Sequence, residues 1–277
     1  MTAESDRDPV HHGFEVSVPP GYTRIDEPGA MIVIRHDVID AVIAAYRSAP
    51  IDHRTLHGYA ARAPGSRQFR GRDVAYALVL PASSMSVVVR HNRHGGAFRA
   101  LTGDLFLGAT RAPMELEAAV ALHALRVPTP PLVAYAVYPA APGLARSDVV
   151  TEEIPDGTDL GAMLLRTTPE TDERRRAWNA TTRLLKRMAS AAVRHHDLNV
   201  KNVLLRSIAD DLLAAYALDV DRVEFDCTRR DAFAGNRARL RRSVDKWRRT
   251  HGAVITDAEL AAVGGRYVAA DDRTTSR

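Results

Sequence analysis

Residues 193–205 read VRHHDLNVKNVLL, with an acid, two asparagines and a lysine crowded into positions 197–202 between apolar flanks. A long helical pattern leads into this stretch and a strand pattern leaves it, so the polar residues must sit on a loop between the two. Asp219 follows Asn202 by seventeen residues, at the end of the apolar run in AAYALDVD. VLLR (203–206) and AAYALDVD (214–221) suit two strands of a hairpin, which leaves Asp219 at a strand end.

The rest of the chain changes character along its length. MIVIR (31–35) predicts a strand, and DVIDAVIAAYRSAP (37–50) a short helix that stops before Pro50. APGSRQFRGRD (63–73) has the glycine and charge density of a loop, followed by strands in VAYALVL (74–80) and MSVVVR (85–90). PMELEAAVALHAL (113–125) carries apolar residues at helical spacing with proline in its first turn, and VPTPPLV ends it. A strand, a link and a helix opening near Asp159 come next, then a helix from Pro169 to Ala192. Strands come early and helices dominate late, which suggests a β-rich part joined to a helical part near residue 153. Residues 1–50 stand apart as an N-terminal extension with a short strand and a helix, its first 13 or so residues frayed.

At 277 residues the chain can bury a substantial core in one large domain or two small lobes. No apolar run reaches the roughly 18 residues of a membrane span, and the polar start, MTAESDRDPV, lacks a signal peptide's apolar centre. A cytoplasmic protein is expected, and the single Cys227 cannot form an internal disulfide. An isoelectric point near 9.4 favours phosphate-bearing or anionic partners. No stacking aromatics interleave the arginines, so a nucleic-acid role is not expected. The adjacent pairs His11-His12 and His195-His196 lack the spacing that puts two metal ligands on one helix face.

Phosphoryl transfer needs a carboxylate at the incoming hydroxyl, oxygen ligands for magnesium and positive charge on the phosphates. Asp197 suits the first role, and Asn202 with Asp219 the second. The competing reading is that Asp197 and Asn199 only cap a turn. Arg90 ends a strand where a phosphate-contacting cation belongs, and Glu115 on the next helix can pair with it, with Glu117 as rival. Alternatively, Arg90 is an exposed strand end and Glu115 an acid favoured near a helix N-terminus. The loop around Gly71 can cover phosphates with backbone N–H groups. Glu152 and Ile154, at the join between the two parts, complete the expected nucleotide contacts.

These residues resemble the bacterial 3-deoxy-D-manno-octulosonic acid (Kdo) kinases of lipopolysaccharide core assembly. The resemblance runs through FRGRD, VVVRHNRHGG, TGDLFLG, TRAPMELE, VPTPPLVA, VVTEEIPDGTDL, HHDLNVKNVLL, LDVDRVEF and GNRARLRRSVDKW, about residues 67–249. It implies an α+β, bilobal protein-kinase-like fold, with a small β-rich N-lobe over 51–153 and a larger helical C-lobe over 154–277. It implies ATP-dependent phosphorylation of the 4-hydroxyl of Kdo on lipid A, with Asp197 as the base or hydroxyl-positioning group and Asn202 and Asp219 on magnesium. Departures accompany it. His196 stands where protein kinases place arginine, Asp221 stands in place of a glycine, and Leu105-Phe106 replaces a more polar-aromatic pair.

Seven of the thirteen positions from Arg237 to Arg249 are arginine or lysine, while Leu240, Val244 and Trp247 share one helix face. Such a helix either meets lipid A phosphates or the anionic inner membrane, with Trp247 near the interface, or packs on the helical lobe through its apolar stripe. Arg93, His94, Arg239 and Arg242 are the expected acceptor contacts. The resemblance places the protein peripherally on the cytoplasmic face of that membrane. Two other readings remain at this level. One is a small-molecule phosphotransferase of the aminoglycoside or choline kind; the other is a non-catalytic pseudokinase serving as a binding module.

Overall fold

Runs of valine, isoleucine and alanine turn much of the first half of the chain into strands. The computed structural model describes residues 15–70, 74–93, 103–107 and 111–265. Their contacts divide the chain into two units, one running to Val120 and including Pro131–Glu153, the other made of Ala121–Pro130 and the chain from Ile154 on.

In the first unit, β1 (Tyr22–Glu27) and β2 (Ala30–Arg35) form a hairpin, followed by α1 (Ile39–Arg47) and α2 (Leu56–Ala60). Then come β3 (Arg67–Arg70), β4 (Val74–Val79), β5 (Ser86–His91), β6 (Phe106–Leu107), α3 (Arg111–Ala124), β7 (Leu132–Ala141) and β8 (Leu144–Glu152). One eight-stranded sheet has the order β1-β2-β7-β8-β5-β4-β3, with β6 beside β8. Every pairing is antiparallel. Residues 22–35, expected in a separate extension, therefore lie in the same sheet as Arg90, joined to it through β7 and β8. Residues 67–70, expected as loop, form edge strand β3.

The sheet's core explains its order. Ala30 to Ile34 and Leu132 to Val137 are all essentially inaccessible, as befits strands covered on both faces. Ile32, Ile34, Val42, Tyr46, Leu56, Val87, Val89, Val133 and Tyr138 belong to one buried cluster. Polar groups inside it are bonded. The fully buried Asp148 accepts from Tyr138 Oη at 2.9 Å and from the backbone N–H of His57 at 2.8 Å, and pairs with His91 Nδ1 at 2.7 Å. Burial lowers the His91 pKa, but the bonds to Asp148 and to Asp104 outweigh it and leave the group raised.

The second unit continues with β9 (Thr158–Asp159), α4 (Leu160–Arg166), α5 (Asp172–Ser190), β10 (Arg194–His195), β11 (Val203–Ala209), β12 (Leu212–Ala217), β13 (Val223–Glu224), α6 (Arg229–Thr250) and α7 (Asp257–Ala262). Strand β11 lies between β12 and β9, and β10 pairs with β13. Threonines 171, 228 and 256 each cap the helix that follows, accepting a backbone N–H on the side-chain oxygen. The segment before β7 joins this unit because Pro128 O accepts the N–H of Ala217 and Thr129 Oγ1 donates to Ala217 O.

One arginine fastens four pieces of this unit. Arg174 on α5 is completely buried, and its guanidinium donates to Thr167 Oγ1 (2.9 Å), Leu164 O (3.0 Å), Thr167 O (2.5 Å) and Val254 O (3.1 Å). Glu259 balances its charge at 3.3 Å, and also accepts from Trp178 Nε1 at 2.9 Å and closes the capping box of α7. Removing the guanidinium strips donors from the buried carbonyls of Leu164 and Thr167 and the part-buried one of Val254, and leaves a void. Arg174→Ala should therefore cost about 3–5 kcal/mol of stability. Trp178 and Trp247, the only two tryptophans in the chain, both lie in this unit, so their fluorescence in urea reads the loss directly. A cost below about 1 kcal/mol would contradict this role for Arg174.

Candidate active site

The loop between β10 and β11 is fixed from inside by one imidazole. His195 is buried; its Nδ1 accepts the backbone N–H of Asp197 at 3.1 Å, while its Nε2 lies 2.9 Å from the carbonyl of Leu218. Nδ1 must be bare to accept and Nε2 must carry hydrogen to donate, so only the neutral Nε2–H tautomer satisfies both bonds. Burial lowers the His195 pKa, against the opposing pull of the Leu218 carbonyl and nearby acids, which favours that neutral form. The same ring thus ties the residue before Asp219 to the backbone of Asp197.

Asn202 makes the second tie. Its Nδ2 donates to Asp197 O at 2.9 Å, and its backbone carbonyl accepts from the N–H of Leu218 at 3.0 Å. Asn199 Nδ2 also donates to Asp197 O at 3.1 Å, and Asn199 Oδ1 accepts the N–H of Lys201 at 2.9 Å, so Asn199 is a turn-former. Asp219 itself sits in the left-handed region at φ 54°, which a short polar side chain tolerates.

Helix α6 clamps the loop from the other side. Asn236, fully buried, accepts from the N–H of His195 at 2.8 Å and donates to Val193 O at 2.9 Å. Ser243 Oγ accepts from the N–H of Val200 at 3.2 Å. Between them Arg239 donates Nε–H to His196 O at 3.2 Å and Nη2–H to Asp197 Oδ1 at 2.5 Å. Asn236, Arg239 and Ser243 are three and four residues apart, one face of the helix. Sequence reasoning missed Asn236 and Ser243, though this spacing of polar residues was there to be read.

The donor set suits magnesium. Asn202 spends its amide nitrogen on Asp197, and its Oδ1 accepts no hydrogen bond among the described residues. The Asn202 amide oxygen and the Asp219 carboxylate are both hard oxygen donors of the kind magnesium takes along with phosphate oxygens and water. Among the described residues no group of three or more His, Cys, Asp or Glu is arranged to hold a metal.

The other expected positions fall as follows. In the first unit Arg90 ion-pairs with Glu115, which is buried, whereas Glu117 is exposed. The Glu152 carboxylate accepts from Arg35 Nη1 at 2.6 Å, and Ile154 O accepts the N–H of Gly157 at 3.3 Å in a turn. Arg93 O accepts from Arg111 Nη1 at 2.9 Å. Gly71 and His94 lie outside the described residues. Arg242 is exposed and lines an open groove of about 580 Å³ with Phe233, Arg237, Arg241 and Leu260. Leu240 and Val244 are buried, so α6 packs through its apolar stripe. Trp247 faces the protein as well: its ring stacks on His251 at 4.4 Å, lies beneath Lys201 Nζ at 5.4 Å, and would come within 2.6 Å of a Cβ at Gly161.

The loop, the hairpin and the clamp lie together in the second unit of a chain of α+β architecture. The lipopolysaccharide kinase (Kdo/WaaP) family matches residues 64–267, and the chain belongs to that family. It is 28% identical to the 3-deoxy-D-manno-octulosonic acid kinase of Actinobacillus succinogenes over 198 residues, 69% of this chain and 79% of that one. It is 30% identical to the enzyme of the same name from Vibrio parahaemolyticus over 206 residues, 68% of this chain and 79% of that one. A solved structure, WaaP in complex with acyl carrier protein, aligns with a TM-score of 0.45 at 21% identity, covering 72% of this chain and 77% of the other.

His195 carries a pH signature. An unfolded histidine titrates near 6.5. The folded value is lower, so as pH falls below about 6.5 the unfolded chain takes up a proton that the folded chain refuses. The stability this group contributes is complete above that pH and is lost towards the folded pKa. In urea titrations followed by tryptophan fluorescence, wild type should lose more stability between pH 7 and 5.5 than His195→Gln does. Parallel losses in the two proteins would contradict the neutral bridge.

Proposed function

We propose that the chain transfers the γ-phosphoryl group of ATP to the 4-hydroxyl of a Kdo residue on lipid A, a step of lipopolysaccharide core biosynthesis. One observation carries this reading: Asp197 is anchored through its own N–H and carbonyl to His195 and Asn202, which are in turn bonded to Leu218, next to Asp219. Asp197 Oδ1 is held by Arg239, and Oδ2 accepts no hydrogen bond among the described residues, leaving an oxygen for the acceptor hydroxyl. Asp197 orients that hydroxyl and takes its proton as the oxygen–phosphorus bond forms and ADP departs. Asn202 Oδ1 and the Asp219 carboxylate are the ligands for magnesium, which when bound neutralises phosphate charge. Arg90, held by Glu115, is the cation for the nucleotide phosphates, and the loop around Gly71 and the Glu152–Ile154 segment are its remaining contacts.

The acceptor side rests on arginine chemistry. Arg93, His94 and Arg242 are proposed to meet anionic groups of the acceptor, with the basic surface of α6 towards the inner membrane. No helix among the described residues is long and apolar enough to cross a membrane, so contact with the bilayer would be peripheral. Each basic side chain near an anionic surface adds about 1 kcal/mol of attraction. The names of the curated relatives favour this acceptor over the soluble alcohols of aminoglycoside or choline phosphotransferases.

Purified protein given magnesium ATP and Kdo-lipid A should phosphorylate the sugar, as mass spectrometry of the lipid reports. Asp197→Asn should lower kcat about 10²–10⁴-fold while ATP still binds. Transfer only to soluble alcohols, or full activity in the variant, would contradict the proposal.

A further inference from the structure

The Arg239 guanidinium has two hydrogen-bonding edges, and the loop uses one. Nε–H goes to His196 O and one Nη2–H to Asp197 Oδ1, which together occupy the side edge. The end edge, formed by Nη1 and the second hydrogen of Nη2, makes no hydrogen bond among the described residues. Arg239 is about one-third exposed, as is Asp197, so this edge is open beside the carboxylate that receives the hydroxyl. A planar pair of N–H groups matches a carboxylate in two parallel bonds, a geometry lysine cannot reproduce.

We propose that Arg239 reads the carboxylate of an acidic sugar acceptor with its end edge while its side edge holds Asp197. The inference rests on the acceptor reading above and adds to it the residue that distinguishes an acid from a neutral sugar. The two functions share one rigid plane. An acceptor whose carboxylate seats in the fork is thereby brought with a hydroxyl towards the remaining oxygen of Asp197, and a neutral sugar loses that registration. The physical effect is orientation, which acts on turnover as well as on binding.

Three acceptors separate the possibilities: Kdo-lipid A, its Kdo carboxamide, and Kdo-lipid A stripped of its lipid A phosphates. Wild type should prefer the free acid to the carboxamide by on the order of tenfold to hundredfold in kcat/KM, with a smaller effect of removing the phosphates. Arg239→Gln loosens Asp197 and slows both acid and carboxamide, but the ratio between them should collapse towards one. Arg239→Lys keeps the charge without the fork, so activity should partly return while the ratio stays low. A ratio within twofold of wild type in both variants overturns the assignment and leaves the kinase reading standing. Dependence of the Arg239 effect on the lipid A phosphates instead of the carboxylate overturns it too. Failure of wild type to phosphorylate any of the three acceptors overturns the acceptor reading and this inference together.

Discussion

A neutral imidazole holds the centre of the second unit. His195 spans from the N–H of Asp197 to the carbonyl of Leu218, and no other tautomer or charge state makes both bonds. One buried ring sets the register between the loop and the end of the β11–β12 hairpin that follows it. Asn202 repeats the tie through a second pair of bonds. Because the ring cannot take up a proton without losing an acceptor, the chain keeps a titratable group at its core only by holding it neutral. Phosphoryl transfer depends mainly on positioning, so a rigid scaffold of this kind is where catalytic power would originate.

The clamp from α6 shows how a strongly basic helix serves two purposes. Its apolar stripe, Leu240 and Val244, is buried, and its polar row, Asn236, Arg239 and Ser243, satisfies backbone and carboxylate groups of the loop. Arginines 241 and 242 are left for solvent or a ligand. Trp247, with Gly161 beneath it and Lys201 above, closes the same helix against α4 and the loop. Arg174 supports the arrangement from α5, fixing the ends of α4 and the start of α7.

Much of this was legible in the sequence, and for identifiable reasons. β2, β4 and β5 announced themselves as β-branched runs, and α3 and α5 by helical spacing between breakers. The spacing of Asp197, Asn202 and Asp219 reflects a loop and hairpin that are local along the chain, so it survives in the linear text. The central strand β7 did not: prolines 128, 130 and 131 before it and Pro139 within it disguise a run that pairs on both sides. Residues 22–35 looked separate because their partner, β7, lies a hundred residues away, and strand pairing at that range leaves no local pattern. Arg174 sits in the string DERRR and looks like any solvated helix arginine; only tertiary packing buries it completely.

The central claim is that Asn202 and Asp219 share one nucleotide-bound cation beside Asp197. Anomalous diffraction from crystals grown with manganese and a non-hydrolysable ATP analogue tests it most directly. The account predicts a manganese peak at about 2.0–2.3 Å from Asn202 Oδ1 and an Asp219 carboxylate oxygen. A peak elsewhere, with both side chains turned away from the metal, would contradict it.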